Sequence, residues 1–278
     1  MPPDEIAEAA GIVTKTDYFF TASDGTKLWW VSYRPSGPGP FQCCGVGHVG
    51  GFKGGSPNDG PVVRACNDLA LAGIKAFAVA YRTDRQRLEG QKGDGKYPEQ
   101  TDDAKASVIS MRKDPDCNGV VDWFGGSAGA GHAWTVGTEI GQTGDVPWTA
   151  NDRARRVVCL SAPLAFYDRT PDPALAPFVA DVELYCGTKD LAKQKAMSPL
   201  TLTTKDAHDI FIRATQKDPM PNGQFKEMQK IVAALGLRNV NQALLPGSKH
   251  AFAYWNDPDP NNPGKTVKDS VIAFLLKP

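Results

Sequence analysis

From residue 41 to the end of the chain, short apolar runs alternate with segments of helical periodicity. Residues 41–48, 75–81, 119–124, 156–161, 209–214 and 240–245 read as strands, most of them apolar on both faces. Residues 62–72, 102–112, 127–136, 225–235 and 266–276 read as helices between and after them. Strands separated by helices pair in parallel, and a parallel sheet must be covered on both faces. Ahead of this series, residues 18–22 and 27–33 are aromatic, alternating runs around Ser23-Asp24-Gly25-Thr26, which reads as an antiparallel hairpin. The expected fold class is therefore α/β, a mostly parallel eight-stranded sheet flanked by helices. The alternation fails between residues 162 and 208, where Pro163, Pro171, Pro173, Pro177 and Pro199 fall. That stretch reads as a short cap-like insertion, 163–207, within one domain spanning 1–278.

Composition removes several function classes. Lys+Arg and Asp+Glu are both 31, so there is no positive excess for a nucleic-acid partner. No run approaches the ~18 apolar residues of a membrane span. The start of the chain, residues 1–12, is acidic and alanine-rich and lacks the basic and apolar regions of a signal peptide. A cytoplasmic location is expected unless a leader has been removed. The six cysteines form no C-x-x-C pair, which argues against a zinc site. Cys43, Cys44, Cys66 and Cys159 lie in apolar segments and are expected as small buried thiols.

Ligands of parallel sheets bind beyond the carboxyl ends of the strands, so reactive residues are sought just after each strand. Gly125-Gly126-Ser127-Ala128-Gly129 follows an apolar run and opens a helix, the strand–turn–helix setting of a G-x-S-x-G nucleophile elbow. Side chains at the two outer glycines would collide with the neighbouring strand and helix. The turn presents the Ser127 hydroxyl at a helix N-terminus. His48-Val49-Gly50-Gly51-Phe52 follows the 41–47 strand, and its paired glycines leave backbone N–H groups free to turn toward a developing oxyanion, together with that of Ala128. Asp218 follows the 209–214 strand, and His250 follows the 240–245 strand. The order Ser…Asp…His disfavours the other histidines: His48 and His132 precede every candidate acid, and His208 precedes its strand. Asp190 is a rival acid, with no strand before it.

These residues resemble the α/β-hydrolase superfamily, in particular the esterase/lipase group related to hormone-sensitive lipase and to small carbohydrate-ester esterases. The resemblance covers essentially the whole chain. It rests on His48–Phe52, Tyr81-Arg82, Tyr97-Pro98 with Asp103-Ala104, the 125–129 elbow, Ser198-Pro199, Asp218 and His250. It implies an oxyanion hole formed by Gly50, Gly51 and Ala128. Three positions depart from the usual pattern: Val49 in place of a glycine, Ala130 after the elbow, and Ala214-Thr215-Gln216-Lys217 ahead of the acid.

The expected activity is a serine carboxylester hydrolase working through a Ser127–His250–Asp218 triad and an acyl-enzyme, with no metal or organic cofactor. Its partner would be a small-molecule ester. Phe52, Phe166, Tyr167, Phe178, Tyr185 and Trp255 are the candidate pocket residues. The insertion is small for a lid over long chains, which favours short acyl groups. Two alternatives share these features: a serine peptidase of prolyl-oligopeptidase type, and a non-catalytic protein that keeps the fold.

Overall fold

The computed structural model describes residues 11–141, 144–168, 176–221 and 223–278. Most of the acidic, alanine-rich start, and Pro171 and Pro173 of the insertion, lie outside the described residues. The sheet has eight strands: β1 (Val13–Thr21), β2 (Lys27–Arg34), β3 (Phe41–Gly47), β4 (Lys75–Val79), β5 (Cys117–Gly126), β6 (Val157–Leu160), β7 (His208–Thr215) and β8 (Arg238–Leu245). Their order is β1-β2-β4-β3-β5-β6-β7-β8. The β1–β2 and β2–β4 pairs are antiparallel and every later pair is parallel. The expected fold class therefore stands.

The helices are α1 (Gly60–Leu71), α2 (Glu99–Arg112), α3 (Ala128–Thr138), α4 (Ala176–Cys186), α5 (Leu191–Ala196), α6 (Pro199–Leu202), α7 (Gly223–Leu235) and α8 (Val267–Leu275). Helices α2, α3 and α7 cover one face of the sheet, with Trp123, Trp134 and Phe77 at the centre of the core. Helices α1 and α8 cover the other, around Phe124, Phe211 and Phe274. Trp123 and Phe124 are neighbours on β5 that point to opposite faces, as the two-residue period of a strand requires. Trp123 fits because β3 offers no side chains there: a β-carbon on Gly45 or Gly47 would come within 2.5 Å of its ring.

Two findings differ from the sequence reading. β1 starts at Val13, five residues earlier than expected. As an edge strand it is exposed along most of its length, and its inward contact is Phe19 stacked on Trp30 at 4.5 Å. An exposed edge carries little apolar alternation to read. Cys43 is buried as expected but is not a free thiol: it is bonded to Cys117, with the two Cα atoms 5.8 Å apart. Cys117 opens β5 beside β3, so the pairing comes from strand adjacency, which spacing along the chain does not reveal. Cys44, Cys66 and Cys159 are buried and free. The insertion holds the short helices α4, α5 and α6, none above 11 residues. Among the described residues, no helix is long and apolar enough to cross a membrane.

The carboxyl end of β7 is held by a buried charge. Arg213 is fully buried and forms a two-pronged ion pair with Asp259, at 3.0 and 2.9 Å, while also donating to the Ile212 and Asn241 carbonyls. Burial opposes ionisation of Asp259, but the bonds from Arg213, Ser270 and Asn262 outweigh it and hold the carboxyl down at about 2. Removing one member of such a pair strands the other charge in the core, at a cost of about 3–5 kcal/mol. Asp259→Ala should lose about that much stability in urea unfolding; a loss under about 1 kcal/mol would show that water reaches Arg213.

Candidate active site

Ser127 stands between β5 and α3 with φ 53° and ψ −122°, a conformation that a residue with a β-carbon adopts only when its surroundings enforce it. The flanking glycines enforce it by proximity. A β-carbon on Gly125 would run into the backbone of Gly129, and one on Gly129 would come within 2.5 Å of the Gly47 carbonyl. Helix α3 can therefore start directly against the end of β3. The Ser127 N–H donates to the Leu160 carbonyl at 2.9 Å, and the Gly129 N–H to the His48 carbonyl at 3.1 Å. Ala128 is the first residue of α3, so its N–H is one of the donors that a helix start leaves unpaired within the helix.

The loop after β3 turns sharply. Gly50, Gly51 and Phe52 have φ of 134°, 59° and 62°, and the Lys53 and Gly54 N–H groups both donate to the Gly50 carbonyl, at 3.1 and 3.2 Å. His48, at the start of this loop, is buried. Its ring stacks on Tyr81 at 3.9 Å, and the Tyr81 hydroxyl donates to the His48 carbonyl at 2.7 Å. From above, Asp181 of α4 pairs with Lys53 and lies against Gly51, where even a β-carbon would meet its carboxylate.

His250 Nδ1 lies 2.9 Å from Asp218 Oδ1. The second carboxylate oxygen of Asp218 accepts from the Ser161 hydroxyl at 2.6 Å, and Oδ1 also accepts from the Met220 N–H at 3.1 Å. The elbow and the histidine loop are in contact, since a β-carbon on Gly126 would come within 3.0 Å of Ala251 and 2.8 Å of Phe252. Six described non-glycine residues have positive φ, and four of them sit here: Phe52, Ser127, Ser161 and Ala251. Strained backbone of this kind concentrates where a site must be held in place. Asp190 is elsewhere: it caps α5, accepting from the Ala192 and Lys193 N–H groups.

The aromatics divide into two groups. Phe52, Phe166 and Tyr185 pack on one another and on Ala128 of the elbow, with Phe178 at the margin. Phe52 stacks on Tyr185 at 4.2 Å and meets Phe166 edge-on at 5.7 Å. Two candidate pocket residues lie apart from this cluster. Trp255 is in the core of the opposite face, stacked on Phe124 at 5.2 Å and donating to Asp68 at 2.8 Å. The turn after His250 carries it back under the sheet. Tyr167 packs against the core on the α3 side, with its hydroxyl 3.3 Å from Glu227. Sequence reasoning missed Ser161, which directly follows β6 and would have met the same test of position just after a strand. It also missed Asp181, which sits mid-helix in the insertion with no motif around it.

No protein-family model and no curated protein matches the chain. Solved structures do. An esterase from the planctomycete Thermogutta terrifontis with propionate bound aligns over 94% of this chain and 91% of its own, at 18% identity and a TM-score of 0.67. The same esterase phosphonylated by sarin aligns over the same shares at 18% identity and a TM-score of 0.70. A truncated carbohydrate esterase from gut microbiota aligns over 84% of this chain and 88% of its own, at 15% identity and a TM-score of 0.65. The fold is that of the α/β-hydrolases. Within it, Ser127, Asp218 and His250 lie in the segments that follow β5, β7 and β8.

Two buried histidines set a pH response. Burial lowers His48 to about 4 and His132 to about 3, the latter helped by the proximity of His48. Both fold neutral, while the unfolded chain protonates them near the ordinary 6.5. Their contribution to stability is thus complete above that value and lost as pH falls below it. Asp103 acts in the opposite sense: burial raises it to about 6 despite its bonds to Arg82, so it gains stability on acidification. A difference measurement separates the two. His132→Gln should show a stability–pH slope shallower than wild type by up to about 1.4 kcal/mol per pH unit on the acid side of the imidazole range. Equal slopes in urea unfolding at several pH values would place a charged imidazole in the native core.

Proposed function

We propose that this protein is a serine carboxylester hydrolase. The observation that carries the reading is the 2.9 Å His250–Asp218 hydrogen bond, on loops that follow β8 and β7, at the sheet end where β5 delivers Ser127 in its strained turn. In this reading, Ser127 Oγ attacks the ester carbonyl carbon while His250 Nε2 takes its proton. Asp218 accepts the Nδ1 proton in a hydrogen bond, fixes the tautomer and stabilises the imidazolium. The oxyanion is held by N–H groups of Gly50, Gly51 and Ala128. The tetrahedral intermediate collapses, the alkoxide leaves with the proton from His250, and the acyl group remains on Ser127. Water, deprotonated by His250, then releases the carboxylic acid.

The fold neighbours support the reaction class: one is an esterase captured with propionate, and the same enzyme was captured phosphonylated by sarin. An organophosphonate forms a bond to an activated serine and stops there. Treatment of this protein with a fluorophosphonate should add one phosphonyl group, located by mass spectrometry on Ser127, and abolish p-nitrophenyl acetate hydrolysis. Ser127→Ala should take up none and lose on the order of 10⁴–10⁶ in kcat. Labelling at another residue, or more than a tenth of wild-type activity in Ser127→Ala, would overturn the assignment.

The substrate proposed is a short-chain acyl ester. Phe52, Phe166 and Tyr185 are each at most 4% exposed and share one buried cluster with Ala128, forming a closed aromatic wall beside the elbow. A longer acyl chain gains roughly 0.8 kcal/mol per buried CH₂ only where an open apolar channel receives it. On p-nitrophenyl esters, kcat/KM should be higher for acetate and butyrate than for decanoate. A steady rise from acetate to decanoate would mean that a channel runs past this wall.

A further inference from the structure

The residue that directly follows β6 touches both loops of the proposed triad. Ser161 is completely buried, and its Oγ lies 2.6 Å from Asp218 Oδ2, 2.9 Å from the Ala251 nitrogen and 3.0 Å from the Tyr254 hydroxyl. A serine hydroxyl has one proton and two lone pairs. The carboxylate, as the strongest acceptor present, takes the proton in a short charge-assisted bond. That leaves the oxygen to accept the Ala251 N–H and to share the Tyr254 proton with the Arg213 carbonyl, which Tyr254 also reaches at 2.9 Å. The backbone on either side completes the set. The Leu160 carbonyl accepts from the Ser127 N–H at 2.9 Å, and the Ser161 N–H donates to the Arg213 carbonyl at 2.7 Å.

Ser161 has φ 55°, where a glycine would fit with less strain. What serine has and glycine lacks is the hydroxyl. We propose that Ser161 is a positioning residue of the active site: its hydroxyl fixes the rotation of the Asp218 carboxylate and the backbone just after His250, so that Oδ1 faces the imidazole. This rests on the serine-esterase reading for its catalytic consequence, and on geometry alone for the position of His250. The two carboxylate oxygens divide the work. Oδ1 serves His250 and the Met220 N–H, while Oδ2 is held by Ser161. Without that hydroxyl, Oδ2 loses its partner and the Ala251 N–H loses its acceptor.

The nearby charges are accounted for. Arg213 is paired with Asp259, Lys249 is paired with Asp257, and Lys217 is exposed on the acid loop. The hydroxyl of Tyr254 is the other titratable group in contact with Ser161. Loss of the Ser161 donor therefore changes the environment of Asp218 directly: its charge is less dispersed, and it holds the imidazolium of His250 more tightly.

The test uses Ser161→Ala, Ser161→Gly and Ser161→Cys, with the His250 pKa followed by NMR of its ring protons and kinetics expressed per phosphonate-titrated site. The expected result is a higher His250 pKa in all three, with kcat lower by up to about 10²-fold and KM little changed. Alanine keeps the backbone strain and glycine relieves it, so a shared effect belongs to the hydroxyl. Cysteine fills the site with a weak donor and supplies the reading should the smaller variants not fold. A His250 pKa and kcat equal to wild type would overturn the proposal, as would a loss seen in alanine and restored in glycine. If the wild type itself neither reacts with the phosphonate nor cleaves esters while the His250 shift appears, the esterase reading fails and the positioning role stands.

Discussion

The contact on which the site depends is one of backbone against backbone. Helix α3 begins so close to the end of β3 that Gly129 has no room for a side chain beside the Gly47 carbonyl, and its N–H bonds to His48. The same approach holds Ser127 in its strained turn and sets the start of α3 against His48, the residue that opens the Gly50-Gly51 loop. Two elements far apart in sequence are locked by hydrogen bonds that need no side chains. The strain at Ser127 is sustained because many ordinary interactions around it, including Trp123 seated over Gly45 and Gly47, would have to yield together.

Much of this was legible in the sequence because local rules and global packing agree. Buried parallel strands announce themselves as apolar runs; residues 75–79 and 157–160 are buried along their whole length and were readable for that reason. The elbow was readable because only glycine fits at Gly125 and Gly129. The placement of His250 and Asp218 followed from two ideas, that ligands sit beyond strand ends and that the order along the chain is Ser…Asp…His. Their 2.9 Å separation is something neither idea supplies.

What was not legible depends on contacts between elements distant in sequence. Ser161 has an ordinary neighbourhood, Leu160-Ser161-Ala162, and its contacts appear only when the end of β6 is seen beside the loops that carry Asp218 and His250. The Cys43–Cys117 bond requires knowing that β3 lies next to β5. The aromatic assignments divided for the same reason. Phe52, Phe166 and Tyr185 gather with Ala128 because the insertion folds back over the loop after β3. Trp255, only five residues past His250, turns to the other side of the sheet.

The ion pair between Asp181 and Lys53 joins the insertion to the loop that carries Gly50 and Gly51. One partner lies on α4 and the other beside the glycines, and the carboxylate occupies the space a Gly51 side chain would need. The insertion is thus not an interchangeable part. A chimaera that grafted in the corresponding segment of another protein of this fold would leave Lys53 without its counter-charge and open a hole over Gly51. Exchange of caps in this scaffold therefore has to treat two segments, over a hundred residues apart, as one inherited unit.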